Sequence, residues 1–118
     1  LCDQLDMQVH FWKLAIKPGK PVLFATRNGI PFFGLPGNPA ASAATFEILV
    51  RPALRRLAGH PHPTPVKVTA SLTGPVKNSG KREHFLWGSA ISGKQGLEFT
   101  PSLRQESGQN RTMQGFNA

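Results

Sequence analysis

The chain is poor in cysteine, in acidic residues and in long apolar runs, and each shortage removes a class of function. A single cysteine, Cys2, excludes an internal disulfide and agrees with a reducing compartment. It has no base beside it in the sequence and reads as inert. No stretch reaches the roughly 18 consecutive apolar residues of a membrane span, and Asp3 and Asp6 interrupt any resemblance to a signal peptide. A cytoplasmic protein with no membrane partner is therefore expected. The carboxylates are Asp3, Asp6, Glu47, Glu83, Glu98 and Glu106. None are paired at a spacing suited to general acid–base work or to magnesium binding. His60 and His62 form a His-x-His pair, but His10 and His84 are remote in sequence, so no metal site is assigned. Neither nucleotide signature, Gly-x-x-x-x-Gly-Lys-Ser/Thr or Gly-x-Gly-x-x-Gly, occurs.

What is present is positive charge, glycine and proline. The chain has 118 residues, the size of one domain, and a formal net charge of +8 from 14 Lys and Arg against 6 Asp and Glu. Its 39% hydrophobic content is lean for a compact globule and suits a piece of something larger. With 12 Gly and 11 Pro, many turns and short elements are expected. The basic residues are spread out; Lys77, Lys81 and Arg82 form the densest group, and Arg55 and Arg56 a second pair. No segment interleaves aromatics with arginine as an RNA-binding module does, so an anionic small molecule is the favoured partner over nucleic acid. Arg104 and Arg111 read as solvent-facing, and Asn110-Arg111-Thr112 as a chance glycosylation sequon.

The first half reads as α/β and the second as all-β. Residues 9–16 read as a strand, with Val9, Phe11 and Lys13 on one face and His10, Trp12, Leu14 and Ile16 on the other. Lys17-Pro18-Gly19-Lys20-Pro21 breaks it, because Pro18 fixes its own φ and keeps Lys17 out of the helical region. Val22–Thr26 and Ile30–Gly34 read as strands joined by Asn28-Gly29, the strongest short hairpin signal. Pro31 marks the second as an edge strand or a strand start. Asn38 is a strong N-cap and Pro39 fits the first helical position. The helix carries an apolar stripe of Ala43, Phe46, Leu49, Val50, Leu54 and Leu57. Pro52 should kink it, and Gly59 should stop it. Residues 61–65 form a proline-punctuated linker between a domain at 1–60 and another at 66–118. Beyond it, Val66, Val68, Ala70 and Leu72 alternate with polar residues as in a strand, and Glu83–Gly88 and Leu97–Thr100 read as further strands around a turn at Ser92–Gly96.

Two runs carry the chemistry. Gly34-Leu35-Pro36-Gly37-Asn38-Pro39 opens onto the helix, with Ser42 one turn in. As a helix start it offers an anion the positive end of the dipole and unpaired N–H groups after Asn38, and Gly37 lets a ligand approach the backbone. The plainer reading is a rigid strand-to-helix connection. Lys13, Lys17 and Lys20 lie close together, two of them flanking the Pro-Gly turn. They can neutralise phosphate or an oxyanion, and stabilise charge on a leaving group; the plainer reading is solvated lysines.

Phe11-Trp12-Lys13-Leu14-Ala15-Ile16-Lys17-Pro18-Gly19-Lys20-Pro21, followed by Gly34–Pro39, Ser42, Phe46 and Pro52, resembles the C-terminal portion of the molybdopterin molybdenumtransferase (MoeA) family. Gly80-Lys81-Arg82-Glu83-His84-Phe85-Leu86 resembles the start of that family's C-terminal β-barrel, and Ser107-Gly108 is weakly similar to a later segment. The resemblance implies the end of a three-layer molybdopterin-binding α/β domain, then a small β-barrel that stops at Ala118 before its last strand. It implies insertion of molybdate into adenylated molybdopterin with release of AMP, assisted by Mg2+, in a homodimer whose partner completes the site. By the same resemblance, Lys13, Lys17 and Lys20 are the catalytic lysines that hold molybdate or the pterin phosphates, and Gly34, Pro36, Gly37, Asn38, Pro39 and Ser42 are the substrate-binding loop. The family's Gly-Gly-x-Ser phosphate loop, its acidic metal ligands and its dimerisation domain would lie upstream of Leu1. Trp87 stands where the family commonly has Arg. The chain is expected to hold half an active site and to be inactive alone. The alternative is a non-catalytic scaffold or peptide-binding module of the same family.

Overall fold

The computed structural model describes residues 2–78 and 80–102. Arg104, Ser107, Asn110 and Arg111 lie outside the described residues, as does any further strand after Ser102. The observed order is α/β first and strand-rich second, as the sequence indicates.

After a single 3-10 turn at Asp3–Leu5, strand β1 (Gln8–Trp12) pairs antiparallel with β3 (Leu23–Arg27), which pairs antiparallel with β4 (Ile30–Gly34). Asn28 and Gly29 link β3 to β4 with φ of 50° and 78°; positive φ at both central residues suits the right-handed strand twist. β4 is an edge of this sheet, which is where Pro31 can sit without costing a ladder bond.

The first strand departs from its expected span. It ends at Trp12, because Lys13 adopts a φ of 75° and leaves the extended region. Its register also shifts between Val9 and Phe11: Val9 pairs with Ala25 and Phe11 with Phe24. That bulge at His10 places Val9 and Phe11 on opposite faces, not the same one. Phe11 and His10 therefore share the Phe24 face, with ring centroids 5.6 and 5.0 Å from Phe24, and Phe33 stacks on Phe24 from the other side at 4.9 Å.

The helix starts where predicted. Helix α1 (Pro39–Thr45) runs through a π-helical turn (Phe46–Val50) into α2 (Arg51–Leu57). Pro52 has no N–H to give the Ile48 carbonyl, and the widened turn absorbs that loss, with the Arg51 N–H bonding back to Phe46 O. At the far end the Gly59 N–H bonds Arg56 O at 3.0 Å and the His60 N–H bonds Arg55 O at 2.9 Å, around a Gly59 φ of 76°. This is a Schellman stop. The buried face is not the predicted stripe. It consists of Ala40, Ala41, Ala44, Thr45 and Val50, whereas Leu54 and Leu57 are exposed. The departure begins within α1, where Ala40, Ala41, Ala44 and Thr45 are buried and Ala43 is not, and of the predicted stripe Val50 is buried.

The second part is held by short ladders. β5 (Ser71–Leu72) pairs parallel with β8 (Gly96–Pro101), and β8 pairs antiparallel with β7 (Gly88–Gly93). Among the described residues these strands form an open sheet in the order β5-β8-β7. The alternation at Val66, Val68 and Ala70 does not become strand: Val66 is 89% and Val68 71% exposed, and pairing begins only at Ser71. Likewise Glu83–Gly88 is not one strand but β6 (Glu83–His84), three residues outside any strand, and the first residue of β7.

A two-residue parallel ladder joins the two parts. β2 (Ile16–Lys17) pairs with β6, Ile16 opposite Glu83 and Lys17 opposite His84. The Glu83 N–H donates to Ala15 O and the Phe85 N–H to Lys17 O, both at 2.8 Å. Among the described residues, the buried apolar side chains, led by Val22 and Ala25, come from the first part.

Candidate functional site

The lysine turn is tied at its base by the Lys13 N–H to Val22 O at 2.9 Å and the Leu14 N–H to Lys20 O at 3.0 Å. The Lys17–Pro18 peptide is cis, and Gly19 has a φ of +112°. Gly19 is buried, and a Cβ there would collide with Thr45 Cγ2 and crowd Ile16. Only glycine satisfies both the backbone and the contact. Thr45 is fully buried in α1, its hydroxyl donating to Ala41 O at 2.8 Å or Ser42 O at 3.0 Å. Glycine against threonine thus seats the lysine turn on the helix that the Gly/Pro loop begins. The turn and the helix share a surface, the contact lying at the last residue of α1 and the loop at its first.

The side chains on that surface divide. Lys17 and Lys20 are exposed and flank the seated glycine. Lys13 is also exposed, but its Nζ lies 3.9 Å from the Trp12 ring centroid, a cation–π contact. Gly34 packs on Leu23, where a Cβ would come within 3.1 Å of Leu23 Cβ. Pro36 is buried, Gly37 is exposed beside open space, and Ser42 is half-buried.

The helix start differs from expectation. Asn38 Oδ1 accepts from the Ala40 N–H at 3.1 Å and the Ala41 N–H at 3.3 Å. Pro39 has no N–H, and the Ser42 N–H bonds Asn38 O at 2.8 Å. The N–H groups after Asn38 are therefore spent on Asn38 itself and do not point out to a ligand. The loop offers an anion the dipole and the open Gly37 backbone, while the formal charge comes from the lysines.

Sequence reasoning left His84 remote, and the β2–β6 ladder brings it beside Lys17. Its Nδ1 is buried without a hydrogen-bond partner among the described residues. Burial, followed by the positive charges of Lys17 and Arg82, holds its pKa below the usual histidine value of 6.5. No local pattern marks it; only the pairing of segments more than sixty residues apart does. Of the other histidines, His10 shares a 2.7 Å hydrogen bond with Thr26 Oγ1, and His60 and His62 are exposed. The Glu47–Arg51 pair is an exposed helical ion pair of little energetic weight.

Residues 2–56 match a family described as "Probable molybdopterin binding domain". A molybdopterin molybdenumtransferase of Haemophilus influenzae is 40% identical over 90 residues, covering 75% of this chain and 22% of its own length. A second, from Nostoc, is 38% identical over 89 residues, covering 72% of this chain and 20% of its own. The crystal structure of a molybdopterin biosynthesis MoeA protein from Pyrococcus horikosii superposes with a TM-score of 0.60 at 32% identity, over 81% of this chain and 23% of that one. The chain belongs to the molybdopterin molybdenumtransferase family. It is thus a member of a family of molybdenum cofactor biosynthesis, and it spans about a fifth of the length of the relatives it matches. Among the described residues of this family member, no helix is long and apolar enough to cross a membrane.

Proposed function

We propose that this chain carries part of the substrate surface of a molybdopterin molybdenumtransferase, which inserts molybdate into adenylated molybdopterin and releases AMP. The observation that supports this most is the seating of Gly19 on Thr45, which fixes the turn bearing exposed Lys17 and Lys20 on the helix that the Gly34–Pro39 loop begins. The two ammonium groups would neutralise phosphate or molybdate oxygens. Lys13 would add charge from the foot of the turn. Gly37 would let the ligand approach the backbone, and Ser42 would add a hydroxyl. Asn38 and Pro39 would fix the helix start, while Gly34 and Pro36 would hold the loop.

In this reading the α/β part is 1–60, the linker 61–65 and the β part 66–118. The active protein is a cytoplasmic homodimer whose other segments complete the site, and this chain alone is inactive. The described residues contain no cluster of three His, Cys, Asp or Glu able to hold a metal. They do not fit a magnesium site, and no step is routed through one.

Equilibrium dialysis of the 118-residue chain against adenylated molybdopterin tests the reading. Retention of the ligand is expected; no retention by a folded sample overturns it. Molybdate-dependent AMP release by the chain alone would contradict the half-site.

A further inference from the structure

Next to β6 lies a cleft of about 510 Å³, lined by residues of the second part alone. Its walls include Thr73, Val76, Lys77, His84, Leu86 and Thr100. The volume falls inside the ~300–1,000 Å³ range of small-molecule sites. The lining is mostly apolar, with polar groups at few positions, which is the composition such sites have.

The polar groups converge on one kind of ligand. Lys77 contributes a full positive charge, and among the described residues no carboxylate lines the cleft. His84 has its Nδ1 sealed inside the protein, so Nε2 is the polar atom its ring has left to offer. With Nδ1 lacking a partner, the neutral ring that carries its proton on Nε2 is a donor. Thr73 Oγ1 and Thr100 Oγ1 share a hydrogen bond at 2.8 Å, and Thr73 Oγ1 also reaches Phe99 O at 3.4 Å. A cation and an imidazole N–H are both donors to oxygen. Val76 and Leu86 offer contact to an apolar body.

We propose that this cleft is a second binding site, for a small molecule that carries a phosphate monoester on an apolar ring, with Lys77 and His84 holding the phosphate and Val76 and Leu86 the ring. Its lining shares no residue with the lysine turn, and it does not depend on the function proposed for that turn. Lys17 stands opposite His84 in the ladder, so its charge reinforces the site without lining it.

Titration of the 118-residue chain with 1-naphthyl phosphate, followed by the ring proton signals of His84, tests this. Saturable shifts of those signals are expected. Lys77→Gln should weaken binding by at least about tenfold, the worth of a hydrogen bond to a charged group. Lys77 is exposed, so its substitution leaves the fold intact. Lys20→Ala should leave the affinity unchanged, which separates this site from the lysine turn. Inorganic phosphate should bind more weakly than the ester, because it lacks the ring. Absence of saturable shifts, equal affinity of wild type and Lys77→Gln, or loss of binding in Lys20→Ala would each overturn the proposal.

Discussion

Gly19 connects the chemistry to the fold. Its φ of +112° and its contact with Thr45 both exclude a side chain. Gly19→Ala should cost about 2–4 kcal/mol, the sum of backbone strain and overpacking, and urea denaturation would read it. A variant as stable as wild type would mean that the turn does not rest on the helix. Asn38 works differently, since its side chain caps two N–H groups. Asn38→Ala should destabilise by about 1 kcal/mol, whereas Asn38→Asp should preserve the cap. His84 adds a pH dependence. Its folded pKa lies below the unfolded value of 6.5, so the unfolded chain binds the proton more readily. The neutral ring's contribution is fully present above about pH 6.5 and is lost as the pH falls through the window down to the folded value. Thermal melts at pH 5 and pH 7.5 should therefore differ less in His84→Gln than in wild type.

At the scale of elements, what was legible in the sequence is what local chemistry decides. Asn28-Gly29, Asn38-Pro39 and Gly59 each impose their conformation through the residues themselves, and the structure has the hairpin, the helix start and the helix stop at those positions. Illegible were the features decided by partners. The bulge at His10 appears only once β1 is laid on β3. The alternation at Val66 and Val68 has the right period but lacks a ladder. The helix buries Ala40, Ala41, Ala44 and Thr45 in place of the larger residues of the stripe, a face chosen by what packs on it, as Gly19 does on Thr45. The site divides in the same way. The lysine turn and the Gly/Pro loop could be named from residue type, but the contact of Gly19 with Thr45 of the helix, and the approach of His84 to Lys17, are tertiary events. Hydrogen exchange would check this division. The Glu83 and Phe85 amides, bonded to Ala15 and Lys17, should exchange slowly, and the Val66 and Val68 amides quickly. Fast exchange at Phe85 would remove the link between the two parts.

The whole molecule is extended for its size. Its radius of gyration is 16.5 Å, against about 13 Å for a compact domain of 100 residues. On one face of the first sheet Val9, Trp12, Ile30 and Phe32 are 44%, 63%, 60% and 41% exposed. The pairings of Val9 and Phe32 with Ala25, of Trp12 with Leu23 and of Ile30 with Arg27 place all four on that face. A contiguous apolar surface on an open sheet favours association. Sedimentation velocity should show concentration-dependent self-association, reduced in Ile30→Lys; a monodisperse monomer at all concentrations would contradict this. The same extended shape accords with a chain that spans about a fifth of its relatives.

The central claim is that the lysine turn, seated on the helix that the Gly/Pro loop begins, binds an anion. Calorimetric titration with adenylated molybdopterin, of wild type beside Lys17→Ala, tests it most directly. The account predicts saturable binding that Lys17→Ala weakens by about tenfold, the worth of one charge-assisted hydrogen bond. Equal affinity in the two proteins, or no binding by a folded wild type, would contradict it.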